Sequence, residues 1–137
     1  MLVFDDSTTT TAPPEEVWKL LYDPSRFPDW WAGIGTVEER AHGGRGDYTM
    51  FPEGYPDFPM PQELRTDRSA GNVIVACLVS DLVFRWRLTP EAGGTRIDVH
   101  VELPEREAHR LDAQRAAIAD SLRNLAGLAM DAPRGPG

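Results

Sequence analysis

Ile97, Val99, Val101 and Leu103 alternate with Arg96, Asp98, His100 and Glu102, and Pro104 follows at once. Alternation this regular is an antiparallel strand with one buried face and one wet face. Proline stops such a strand and is tolerated at the start of a helix. Beyond it Leu111, Ile118, Leu122, Leu125 and Ala129 fall at 0, 7, 11, 14 and 18, a helical stripe over more than five turns. A helix with one apolar stripe needs a surface to cover, and a one-faced strand beside it supplies one. The pair predicts a curved sheet with the helix packed into its concavity.

The upstream segments fit the same plan. Leu2–Thr10 reads as an opening strand, since a threonine run suits a pleated surface. Pro13-Pro14-Glu15-Glu16 starts a short helix, with Val17, Leu20 and Leu21 on its apolar side and Trp18 and Tyr22 broadening it. Asp23-Pro24 ends that helix and caps a second turn through Phe27. Strands are expected at Thr36–Ala41 and Arg45–Phe51, joined by His42-Gly43-Gly44. Gln62–Arg68 is a polar strand candidate, and Val73–Val79 is apolar on both of its alternating faces. Leu82, Phe84, Trp86 and Leu88 form the buried side of another strand, with Arg85 and Arg87 outside.

Strands that run together before a final helix indicate an α+β protein of about six to seven antiparallel strands, not an alternating α/β one. The expectation is a single domain over residues 1–131 with a flexible tail at 132–137.

Several function classes are disfavoured on charge and composition. The 137 residues carry 14 Lys+Arg against 22 Asp+Glu, a formal net charge of −8. With no basic stripe, nucleic acid is not an expected partner, and anionic membrane surfaces are disfavoured. No apolar run approaches the roughly 20 residues that cross a bilayer, and no basic, apolar leader opens the chain. A cytoplasmic location is expected. Cys77 is the sole cysteine, so no intrachain disulfide forms. Its apolar neighbours suggest a buried, inert thiol.

No G-x-S-x-G, phosphate loop or H-E-x-x-H occurs. His42, His100 and His109 fall on a turn, the wet side of a strand and a helix start, so they do not converge on a metal. Neither metal nor organic cofactor is expected.

Two stretches, Thr11-Ala12-Pro13-Pro14-Glu15-Glu16-Val17-Trp18 and Asp23-Pro24-Ser25-Arg26-Phe27-Pro28-Asp29-Trp30-Trp31, carry a resemblance. Together with Leu82–Leu88, Gly94–Val99 and the helix Ala113–Met130, they resemble the START-like, or polyketide cyclase/dehydrase, superfamily with its helix-grip fold. The resemblance spans nearly the whole chain and is strongest at its ends. It implies a cavity between sheet and long helix for a hydrophobic or aromatic molecule such as a lipid, a quinone or a polyketide. It does not by itself separate a carrier from a cofactor-independent cyclase or dehydratase, or from a co-chaperone-like interaction module.

Candidate lining residues are Trp30, Trp31, Tyr48, Phe58, Met60, Phe84, Trp86, Val99, Ile118 and Leu122. For the tryptophans and Phe84, packing in the core is the competing role. Tyr55, Phe58 and Met60 lie on a proline-rich stretch that is either a lid or a loop folded onto the sheet. Candidate polar cavity groups are Arg45, Asp47 and Arg65. Period two puts either Arg45, Asp47 and Thr49 or Tyr48 inside, and surface ion pairing is the competing role for the charged ones. Glu105, Glu107, Asp112 and the arginines between them read as a solvated helix face. The two-sided strand at 73–79 makes a homodimer conceivable.

Overall fold

The structure is a computed structural model describing residues 1–39 and 47–131. Seven strands form one antiparallel sheet: β1 (Leu2–Thr10), β2 (Ile34–Glu39), β3 (Tyr48–Pro52), β4 (Met60–Asp67), β5 (Asn72–Cys77), β6 (Val83–Glu91) and β7 (Gly94–Leu103). Their order is β1-β7-β6-β5-β4-β3-β2. Between β1 and β2 lie α1 (Pro14–Leu21), a 3-10 turn (Pro24–Arg26) and α2 (Phe27–Trp30). The chain closes with a 3-10 turn (Glu105–Arg110) and α3 (Leu111–Asp131). This is the antiparallel sheet with a long closing helix expected from the strand and helix periodicities, and the helix-grip arrangement that the resemblance implies.

The inward residues stack in rows that run across the strands. Leu64, Val75, Phe84, Val101 and Phe4 are successive cross-strand partners and are all buried. Val73, Trp86 and Val99 form the next row. Ile118, Ser121, Leu122, Leu125, Ala126 and Ala129 are the buried face of α3. Two buried hydroxyls add polar anchors: Thr10 Oγ1 donates to the Ala126 carbonyl at 3.1 Å, and Thr95 Oγ1 donates to the Ala12 carbonyl at 2.8 Å. At Gly94 the start of β7 passes close to the end of β1, since a Cβ there would lie 1.9 Å from the Thr10 carbonyl oxygen.

Several local expectations change. The strand expected from Arg45 begins at Tyr48 and runs to Pro52, and Arg45, His42 and the glycine pair lie outside the described residues. The stretch 51–61 is a hairpin turn between β3 and β4, neither lid nor folded-down loop. The Tyr55 amide bonds to the Pro52 carbonyl and the Phe58 amide to the Tyr55 carbonyl, so consecutive turns project Tyr55 and Phe58 into solvent. The strand at 73–79 ends at Cys77, and Leu78 and Val79 are exposed on the turn after it. The segment after Pro104 is a 3-10 turn, and the α-helix starts only at Leu111.

Candidate functional site

Six aromatic residues pack into one continuous cluster under α3. Trp30 stacks on Trp31 at 5.3 Å and meets Trp86 edge-on at 5.2 Å. Trp31 in turn meets Phe84 at 5.0 Å and Trp86 at 5.2 Å. Phe27 bridges Trp30, Trp31 and Tyr48. Trp30 is pinned by its indole N–H, which donates to the Leu20 carbonyl at 2.9 Å.

Above this cluster a cavity of about 240 Å³ opens between the sheet and the first turns of α3. Its floor is Trp31 and Phe84. Its inner wall is a row across β3, β4 and β5 in which Tyr48 faces Gln62 and Gln62 faces Cys77, with Met50, Met60 and Val75 beside them. Its roof is Arg110, Ala113, Gln114 and Ala117. Gly33 and Ala113 are the exposed members of the lining and mark the mouth. The space exists because α3 presents alanines at 113 and 117, one turn apart, where larger side chains would fill it.

Polar groups are few and specifically placed. Tyr48 is buried, and burial, followed by the neighbouring Cys77, holds its phenol far above the usual tyrosine range. Its hydroxyl is therefore a neutral donor on a residue that lines the cavity. Gln62 is anchored through Nε2, which donates to the Met60 carbonyl at 3.1 Å. Arg110 is the one charged residue in the lining among the described residues, and no carboxylate or histidine joins it.

Trp31 owes its position to α3. The Ala32 amide donates to Ser121 Oγ at 2.9 Å, and Asn124 Nδ2 donates to the Trp30 carbonyl at 3.2 Å. Gly33, at φ +96°, then turns the chain into β2, a conformation that side-chain-bearing residues rarely adopt.

Of the residues singled out by sequence, Trp31, Tyr48, Met60 and Phe84 line the cavity. Trp30, Trp86, Val99, Ile118 and Leu122 are packed core a layer deeper, because rings and branched chains fill the space there. Phe58 is on the exposed turn. Arg65 is on the outer face of β4, bonded to Glu63 at 2.9 Å: Gln62 and Leu64 point inward, so their neighbours point out. Asp47 is not in the lining, since Tyr48 takes the inward position. Its Oδ1 is buried without a partner among the described residues. Sequence reasoning missed Gln62, Ala113, Gln114, Ala117 and Arg110. The helix residues offered one available signal, small and polar side chains at i, i+3 and i+4 on one face.

His100 sits on the outer face of β7 between Asp5 at 2.8 Å and Glu102 at 3.3 Å, and His109 is exposed beside Glu107. No metal-ligating group of three or more side chains is assembled among the described residues. No helix among them is long and apolar enough to cross a membrane.

A curved antiparallel sheet gripping a long C-terminal helix defines the helix-grip fold. The chain belongs to the family described as polyketide cyclase/dehydrase and lipid transport, which matches residues 1–130. Solved structures share the fold. The Zhui aromatase/cyclase from Streptomyces sp. R1128 superposes with a TM-score of 0.81 at 17% identity, covering 99% of this chain and 98% of that one. The protein XoxI from Bacillus cereus gives 0.76 at 14% identity, covering 96% and 97%. The di-domain ARO/CYC StfQ of the steffimycin biosynthetic pathway gives 0.75 at 10% identity, with 94% of this chain matching 50% of that one. No curated protein matches the chain by sequence.

Proposed function

We propose that this protein binds a small hydrophobic or aromatic molecule in the cavity between the sheet and α3. The carrying observation is the cavity itself: apolar walls, an aromatic floor and the neutral hydroxyl of the buried Tyr48 in its wall. Ligand pockets combine this kind of apolar lining with a few placed polar groups. At about 240 Å³ the space is below the roughly 300–1,000 Å³ of drug-sized sites. Filled to an interior packing density of about 0.74, it holds one or two rings, not a four-ring polyketide or a long acyl chain.

A second reading, a cyclase or dehydratase working by acid–base chemistry, draws support from Tyr48, a neutral donor able to hold a developing oxyanion. Against it, the described lining offers no carboxylate or histidine as general base. Binding is therefore favoured.

The test is a thermal-shift panel of fatty acids, quinones, sterols and phenols of one to four rings. Saturation at 100 times Kd adds about 2.7 kcal/mol, a shift of several degrees. Stabilisation by the one- and two-ring aromatics alone is the expected result. Stabilisation by none of the compounds counts against the cavity as a ligand site and turns attention to the exposed Tyr55, Phe58, Leu78 and Val79 as a protein-binding surface.

A further inference from the structure

Resting on that reading of the cavity, we infer that its ligand is an aromatic carboxylate, seated with its rings on Trp31 and Phe84 and its carboxylate on Arg110 at the mouth. In a chain of net charge −8, the only charge among the described lining residues is positive. A neutral apolar ligand gives no reason for a guanidinium in the wall, because closing the site over it removes water from a charge. Glu107 meets only one edge of that guanidinium, and a carboxylate on the ligand supplies a partner for the rest.

The geometry allows it. Arg110 is about one-third exposed and touches Glu107 through a single contact, Nη1 to Oε1 at 3.3 Å. A guanidinium has five N–H donors in a planar fork, so one long bond leaves most of them free for a second carboxylate. Gln114, in the first turn of α3, also lines the cavity and adds an amide donor to the same wall. The other nearby arginine, Arg106, is already paired with Asp81 on the turn after β5. Among the described residues Glu107 is the carboxylate paired with Arg110, and exchange of that long single bond for a forked pair favours the ligand. At the far end the Tyr48 hydroxyl is left to meet an acceptor on the ring system, so the site reads a ligand at both ends.

Calorimetric titration of 2-naphthoate and of its methyl ester into the wild-type protein and into Arg110→Gln tests this at neutral pH. The two probes share one ring system; the ester removes the charge and adds a methyl group. The expected result is that naphthoate binds the wild type at least tenfold tighter than the ester, and that Arg110→Gln brings the two to the same affinity without changing the ester's. The unchanged ester also reports that the variant is folded with its cavity intact. Equal binding of both probes to the wild type overturns the inference, as does an Arg110→Gln variant that keeps the naphthoate preference or weakens both probes alike. In each of those cases ester binding still supports the cavity as a ligand site. Binding of neither probe overturns that reading, and this inference with it.

Discussion

Replacing Ser121 with alanine probes the link between the helix and the cavity floor. Ser121 is fully buried, and its Oγ does two things: it donates to the Ala117 carbonyl at 2.6 Å and accepts the Ala32 amide at 2.9 Å. The first bond is local to the helix, whose backbone ladder already uses that carbonyl, so its loss costs little. The second bond spans from α3 to the segment that carries Trp31, and losing it orphans a backbone donor. A donor left without a partner costs about 1–3 kcal/mol. Ala32 is only half-buried and faces the cavity, where water can reach it, so the low end applies, about 1.5 kcal/mol. Alanine returns about 0.5 kcal/mol through its better helix propensity. The net expectation is a loss of about 1 kcal/mol, seen in urea unfolding as a lower midpoint at unchanged slope. Affinity for a two-ring ligand should fall alongside it, because Trp31 is no longer held against Phe84. A variant as stable as the wild type, binding as tightly, would refute the claim that Ser121 positions the floor.

Other consequences can be checked independently. Tyr48→Phe removes one neutral hydroxyl from the cavity wall and should leave stability at neutral pH within about 1 kcal/mol, while ligands bearing a carbonyl or phenol lose about tenfold in affinity by titration. Tyr48 also sets an alkaline limit. Its folded-state value is raised and its unfolded value is near 10.0, so the stability present below pH 10 falls as pH rises further, by up to about 1.4 kcal/mol per unit. Tyr48→Phe should flatten that limb of a stability–pH curve. Gly94→Ala should cost about 3 kcal/mol or more, or prevent folding, because its Cβ would press on the Thr10 carbonyl from 1.9 Å away. Arg65→Ala should change neither ligand affinity nor, beyond about 0.5 kcal/mol, stability, since the Arg65–Glu63 pair is solvent-exposed.

The architecture was legible because its signals are hydrophobic periods. Residues 97–103 and 82–88 alternate at period two, and 111–129 repeat at the helical period. Each places large side chains where the core needs them. The cavity was harder to read for the same reason. It lies where large side chains are missing: Ala113 and Ala117 look like ordinary helix formers, and Gln62 looks like surface on a polar strand. Arg110 was grouped with a solvated helix face, because sequence spacing cannot say that the helix begins at Leu111 over an open space. Trp30 and Trp31 are adjacent and alike in sequence. Only the bonds from Asn124 and Ser121 settle that one is core and the other floor. Arg65 stayed open between the cavity and a surface ion pair with a sheet neighbour, and the structure shows the ion pair. Period two fixes which residues share a face but not which face is inside, and on β4 that is decided by Leu64 packing in the row with Val75 and Phe84.

The central claim is that the space beneath Ala113 and Ala117 is where a ligand sits. Filling it tests this most directly. Ala117→Phe keeps the helix and places a ring in the cavity, and titration with 2-naphthol, a neutral two-ring phenol, reads the outcome. The account predicts measurable binding to the wild type and none to a folded Ala117→Phe variant. Equal binding to both proteins would place the ligand elsewhere and contradict the account.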